Sequence, residues 1–475
     1  MIQIALTDTK NSKVLFFKEK SEDYCSLPTE IQKVFKGEYL EVMWISQAEG
    51  RIDLLVGAGK KALDRLAVKE LCAKAAKEMK AKEIYEISID VELFLKEQDI
   101  SIISDIAEGF MLGTYEQRQF KEHQAEEFSI ELYHIPENQK EAAQLYLKET
   151  SSVIKGIWFA RDMVNLPGNK LRPMDFAKEI KEFVSSVGIE VELLDADKLK
   201  ELNMGGLLGV GNSSAYPPCL LIMRYLADPD SEKITGLVGK GVTVDTGGYC
   251  LKPANSMMGI KGDMAGGAAV AGAMYSLAAN RIKTNAVALI PMCENRISPG
   301  SLLPGDVISS YSGRTIEIAN TDAEGRLILG DAVSYAVRKE HVTEVLDIAT
   351  LTGAVVSMLG FSIGGVLCDN DELYKKFSKA YEASGERYLR IPFYQEHEEM
   401  IKSPIADIKN LGESYCGTIT AGLFIREFAD RIPWIHLDIA GTAWVDKPVF
   451  EFQSKGATGT AVATIYHLCH REEKA

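Results

Sequence analysis

The 475-residue sequence predicts an α/β protein in two parts: a smaller N-terminal α/β domain, then a large doubly wound α/β domain with a mixed, mostly parallel sheet. Three features predict this. The chain is longer than one hydrophobic core ordinarily supports. Short apolar runs alternate with amphipathic stretches almost throughout, which is the order of α/β units. A helical stretch over 138–164 runs into "NLPGNKLRP", whose glycine and prolines are breakers, and so marks the junction. The expected domains are 1–150 and 165–475, with the helix connecting them.

In the first domain "YLEVMWIS" and "RIDLLVGAG" read as strands, "KKALDRLAVKELCAKAAKEMK" as a helix, and "EIYEISI" and "FSIELYHI" as further strands. In the second, helix "MDFAKEIKEFVSSVG" precedes strand "IEVELLD", and "CLLIMRYL", "KITGLVGKGVTV" and "TNAVALIPM" continue the sheet. "GDMAGGAAVAGAMYSLAAN" reads as an Ala-rich helix, "EGRLILGDAVSYAVRKE" as another, and "EVLDIAT" and "WIHLDIA" as strands. No repeat of 20–50 residues is present.

The charge balance narrows the function. With 53 Lys+Arg against 68 Asp+Glu the net charge is -15, which disfavours nucleic acid and anionic membrane as partners. The eight cysteines are scattered without CxxC pairs, as in a reducing compartment. The N-terminus shows no secretory pattern, and no apolar run nears the ~20 residues that span a bilayer. A cytoplasmic location is expected.

Three motifs invite chemistry. Gly57, Gly59 and Ala62 fit G-x-G-x-x-A between a strand and a helix, an arrangement that can cradle a pyrophosphate. Tight turns use glycine regardless of ligand. In "GLVGKGVTVDTGGYCLK", Lys240 interrupts a strand that otherwise reads as buried on both faces, and burying an ammonium costs several kcal/mol unless it is paired or neutralised. Asp245 ends that strand ahead of a diglycine, Lys252 follows the turn, and Asp263 stands where a helix begins, as a site residue or as a plain N-cap. In "IANTDAEGRLILGDA", Asp322 and Glu324 are two apart and would point the same way on an extended segment, with Arg326 just beyond. The bland alternative for Arg326 is a helix-surface ion pair. Four carboxylates meeting at one point cannot all stay ionised without cations, so their convergence would imply divalent metal. The segments contain no histidine, and an oxygen-rich site admits Mn, Zn, Mg or Co.

These residues resemble the leucine aminopeptidases, also called cytosol aminopeptidases, a family of dinuclear metallopeptidases. The resemblance rests on "NTDAEGRL" at 320–327, with "GKGVTVDTGGYCLKP", "IKGDMAGGAA", "ARDMVNLPGNKLRP", "DIATLTGA" and "LDIAGTAW" in support. It covers about 160–470 strongly and 1–150 only by order and size. Val244 stands where an aromatic residue is common, and Ile260 where methionine is usual.

The resemblance implies a macro-like first domain and a catalytic second domain that hydrolyses N-terminal Leu, Met or another apolar residue from peptides. It implies that Lys240, Asp245, Asp263 and Glu324 hold one ion and Asp245, Asp322 and Glu324 the other, with Lys240 bound through its neutral amine. Lys252 would stabilise the oxyanion, and Arg326 would hold a bicarbonate that relays the proton. The side-chain pocket would include Ile260, Thr350, Gly353 and Ala457. The implied assembly is a homohexamer, a dimer of trimers.

Overall fold

The computed structural model describes residues 3–5, 12–47, 51–117, 120 and 128–470. Its chain divides into two compact units: Met1–Ile154 with Lys447–Ser454, and Lys155–Asp446 with Lys455–Ala475. The helix Lys140–Asn165 runs across the division.

The first unit is built on a six-stranded sheet of β1 (Gln3–Ala5), β2 (Ser12–Lys18), β3 (Val42–Ser46), β4 (Ile52–Gly59), β5 (Glu86–Asp90) and β6 (Ser129–Tyr133). Its order is β1-β6-β5-β2-β4-β3, parallel throughout except for β3 against β4. Leu54, Val56, Ile87 and Ile89 carry its core beneath the helices Arg65–Ala81 and Ile102–Thr114. Those helices approach so closely that a Cβ on Gly109 would lie 2.4 Å from the Lys69 carbonyl oxygen.

Of the two readings of Gly57, Gly59 and Ala62, the structure favours the plain glycine turn over the pyrophosphate cradle. β4 ends at Gly59 and the helix starts only at Arg65, leaving Ala62 in the turn between them. The helix N-terminus is already served by the carboxylate of Asp64, which accepts from Ala67 N at 2.8 Å. Gly57 answers to packing instead, since a Cβ there would sit 2.0 Å from Glu38 O.

The second unit carries a nine-stranded mixed sheet. Its strands are β7 (Glu190–Leu194), β8 (Cys219–Leu226), β9 (Thr235–Gly239), β10 (Gly241–Asp245), β11 (Asn285–Asn295), β12 (Glu344–Ala349), β13 (Gly364–Cys368), β14 (Tyr388–Arg390) and β15 (Trp434–Asp438). They lie in the order β14-β13-β15-β12-β9-β11-β8-β7, with β10 continuing the ladder on β11. The central strands β15, β12, β9 and β11 are parallel, and antiparallel pairs flank them.

The stretch expected as one strand through Lys240 is two strands with Lys240 at the junction. The register does not slip across Lys240, since Val238 faces Leu289 and Gly241 faces Met292; it shifts only later, between Val242 and Val244. Pro291, which has no N–H to give, stands in β11 between those partners. Lys240 N turns instead to Ile348 O of β12 at 3.0 Å, and Lys240 O accepts from Gly267 N at 2.8 Å. The helix Ala265–Ala279 is thereby drawn onto the sheet, and a Cβ on Gly266 would stand 2.1 Å from Ile348 O. Among the described residues no helix is long and apolar enough to cross a membrane.

Candidate metal centre

Three segments deliver carboxylates to the carboxyl end of the central strands. Asp245 closes β10, and its Oδ1 accepts from Gly247 N at 3.0 Å and from Asn295 Nδ2 at 2.9 Å. The turn that follows needs two residues with positive φ, Gly247 at 86° and Gly248 at 63°. A Cβ on Gly247 would also come within 2.8 Å of Asp322 Oδ1. The diglycine therefore lets the second acidic segment approach.

Asp322 and Glu324 converge by a different route from the one their spacing predicts. The preceding strand is only Thr315–Glu317, and the residues between form a turn into the helix Glu324–Arg338. Asn320 Oδ1 accepts from Asp322 N at 2.7 Å and shapes that turn. Carboxylate oxygens of Asp245, Asp322 and Glu324 all come within 4.8 Å of one another.

Asp263 ends the 3-10 helix Ala254–Gly262, and the following helix is flanked by Met264, which makes no side-chain cap. The N-cap alternative for Asp263 fails: its oxygens lie 2.8 and 2.7 Å from Lys240 Nζ, and Thr350 Oγ1 donates to it at 2.8 Å.

Lys240 is thus the hub of the cluster. Its Nζ also lies 2.7 Å from Glu324 Oε1 and 3.3 Å from Thr350 O. Burial opposes its charge, but Asp263, Glu324 and Asp245 together outweigh that and hold the amine above its ordinary pKa. Lys252 is raised in the same way, burial being overcome first by Asp245, whose Oδ2 is 2.7 Å away; it pairs with Asp322 as well. Burial pushes the carboxyls of Asp263, Asp322 and Glu324 up, and the neighbouring Asp245 adds to the effect. Asp263 Oδ2 and Glu324 Oε1 are buried and make no hydrogen bond besides their 2.7 Å ion-pair contacts with Lys240 Nζ, so a cation already answers them.

Arg326 is not a surface ion pair. It is 5 % exposed, and its Nε and Nη1 lack a hydrogen-bond partner. Burial lowers its pKa to about 10, against the pull of Glu324 and Asp438.

The predicted pocket residues fare unequally. Thr350 touches the cluster directly. Ala457 pairs with Trp444, whose ring lies under Lys261 Nζ at 5.3 Å, next to the half-buried Ile260. Gly353 opens the helix Gly353–Leu359 and faces open space.

Two asparagines escaped sequence reasoning. Asn295 Nδ2 donates both to Asp245 and, at 3.0 Å, to Thr321 O, tying two acidic segments together. Asn410 accepts from Ala319 N at 2.8 Å and donates to Asn320 O at 2.7 Å, bracing the turn from outside. Asn295 carries a local signal, a polar residue at the carboxyl end of a buried strand; Asn410 carries none.

Comparison with known proteins decides the family. Residues 158–466 match the catalytic domain of the cytosol aminopeptidase family, and residues 35–124 match its N-terminal domain. The chain belongs to the cytosol aminopeptidase family. A probable cytosol aminopeptidase of Clostridium perfringens is 38% identical, over 98% of this chain and 93% of its own. One from Treponema denticola is 37% identical over 96% and 97%. The bottromycin maturation enzyme BotP, solved in complex with Mn, superposes with a TM-score of 0.88 at 29% identity, covering 97% of this chain and 99% of BotP. The chain is accordingly a metal-dependent aminopeptidase, an exopeptidase of the hydrolase class.

Proposed function

We propose that this aminopeptidase releases an N-terminal apolar residue, Leu or Met among them, from peptides by means of two divalent ions. The observation that carries the reading is the meeting of Asp245, Asp263, Asp322 and Glu324 around Lys240 and Lys252, where Asp263 Oδ2 and Glu324 Oε1 are buried with only the Lys240 amine as partner. The donor set fits once an arriving cation displaces the Lys240 proton: carboxylate oxygens and one neutral amine suit Mn or Zn, and accommodate Mg or Co. Lys240, Asp245, Asp263 and Glu324 would hold one ion, and Asp245, Asp322 and Glu324 the other. When bound, such ions supply Lewis acidity toward a carbonyl and lower the pKa of water.

The chain's own residues do the rest. Lys252 keeps its charge and, with a side chain 23% exposed, reaches the open side of the cluster, where it would stabilise the oxyanion. Arg326 offers two buried donors without a protein partner, a fork that suits a small planar oxyanion, and we assign bicarbonate to it as the proton relay. Ile260, Thr350, Gly353 and Ala457 would line the side-chain pocket. We further assign the chain to a cytoplasmic homohexamer acting on peptides with a free N-terminus.

Chelation tests the reading. Exhaustive removal of metal should abolish leucine release from leucine amide, and Mn²⁺ or Zn²⁺ should restore it. Turnover that survives in metal-free protein overturns the proposal.

A further inference from the structure

Asp438 closes β15 and is fully buried, yet no arginine or lysine ion-pairs with it among the described residues. A carboxylate at that depth costs several kcal/mol unless donors surround it. Here the donors come almost entirely from one turn. Oδ1 accepts from Leu351 N at 3.2 Å, Thr352 N at 3.4 Å and Ala440 N at 3.3 Å, and Oδ2 accepts from Thr352 Oγ1 at 2.6 Å.

The Thr352 hydroxyl has one proton to give. Spent on Asp438, it leaves the lone pairs for Val355 N at 3.1 Å, the cap of the helix Gly353–Leu359, and for Thr418 Oγ1 at 3.0 Å, which must then be the donor. The orientation of the turn is fixed by that chain of bonds. Two residues back along it, Thr350 makes two contacts with the cluster, its hydroxyl on Asp263 and its carbonyl oxygen on Lys240. The turn therefore has one end clamped in the core and the other on the site.

We propose that Asp438 is a positioning residue of the metal centre: through the Thr352 hydroxyl it fixes the turn 350–353, and that turn aims Asp263 and Lys240. The inference rests on the two-ion reading above, and it is specific to one ion. Asp263 and Lys240 belong to the set assigned to a single site, so disturbing the turn should affect that site and spare the other.

The test is Mn²⁺ affinity of the metal-stripped full chain, measured by competition with a fluorescent chelator. Thr352→Val keeps the shape and removes the hydroxyl; it should weaken one of two binding events by roughly 10–100-fold and leave the second unchanged. Thr352→Ser should restore wild-type affinity. Asp438→Asn should match Thr352→Val, and if it fails to fold the threonine pair still decides. Two wild-type affinities in Thr352→Val, equal weakening of both, or failure of the serine to rescue would each overturn the inference. A wild-type chain that binds no Mn²⁺ would instead sink the two-ion reading, and the inference with it.

Discussion

Lys252 and Asp331 show how differently two ionisable side chains are spent. Lys252 is paired with Asp245 and Asp322 at the open side of the cluster, and the role assigned to it predicts that Lys252→Ala lowers kcat roughly 10²–10³-fold while both metals stay bound. Metal content by plasma emission and turnover of leucine amide check this, and unchanged turnover rejects the role. Among the described residues Asp331 pairs with no cation. Its carboxylate accepts from Tyr311 N at 2.7 Å and Leu207 N at 3.0 Å, and burial nonetheless raises its pKa to about 7. An unfolded aspartate titrates near ~3.9. Between those values the folded chain holds a proton that the unfolded chain has lost, so this group's contribution to stability is fully present at low pH and falls as pH rises from about 4 to about 7. Asp331→Asn should remove that slope, of up to about 1.4 kcal/mol per pH unit. Urea midpoints of the two proteins across this range test it: a stability gap independent of pH contradicts the assignment.

At the scale of elements, the site depends on a helix pressed against a strand junction. Gly266 is the point of contact, and Ile348 O there also accepts from Lys240 N. Gly266→Ala should therefore cost at least about 1–3 kcal/mol of stability, the usual range for overpacking, and weaken Mn²⁺ binding together with it. A urea midpoint and metal affinity equal to wild type would show that the helix can withdraw freely. Most of this architecture was legible in the sequence, because buried stretches such as 219–223 and 286–293 announce themselves by apolar runs. The acidic segments were legible too, through their unusual residues. Other features were not. The break at Lys240 arises from what its neighbouring strands offer, and no local pattern encodes that. Asn410 braces a turn some ninety residues earlier in the chain, so only the folded topology brings it there. The glycines at 57 and 59 were ambiguous in sequence because a glycine required by the approach of Glu38 looks the same as one required by a phosphate.

For the whole molecule, the assigned assembly makes a plain prediction. Light scattering should give about six times the 52.3 kDa chain mass, and a mass near one chain would contradict the homohexamer. The division of the chain has a further consequence. Lys447–Ser454 packs with the first unit, where Lys77 Nζ donates to Gln453 O at 2.9 Å and Glu451 N donates to Glu70 Oε1 at 3.3 Å. That unit thus completes its packing with residues synthesised long after the rest of it. During translation it must wait, incompletely covered, until Ser454 has left the ribosome, and a message truncated between Ile154 and Lys447 cannot yield that unit in finished form.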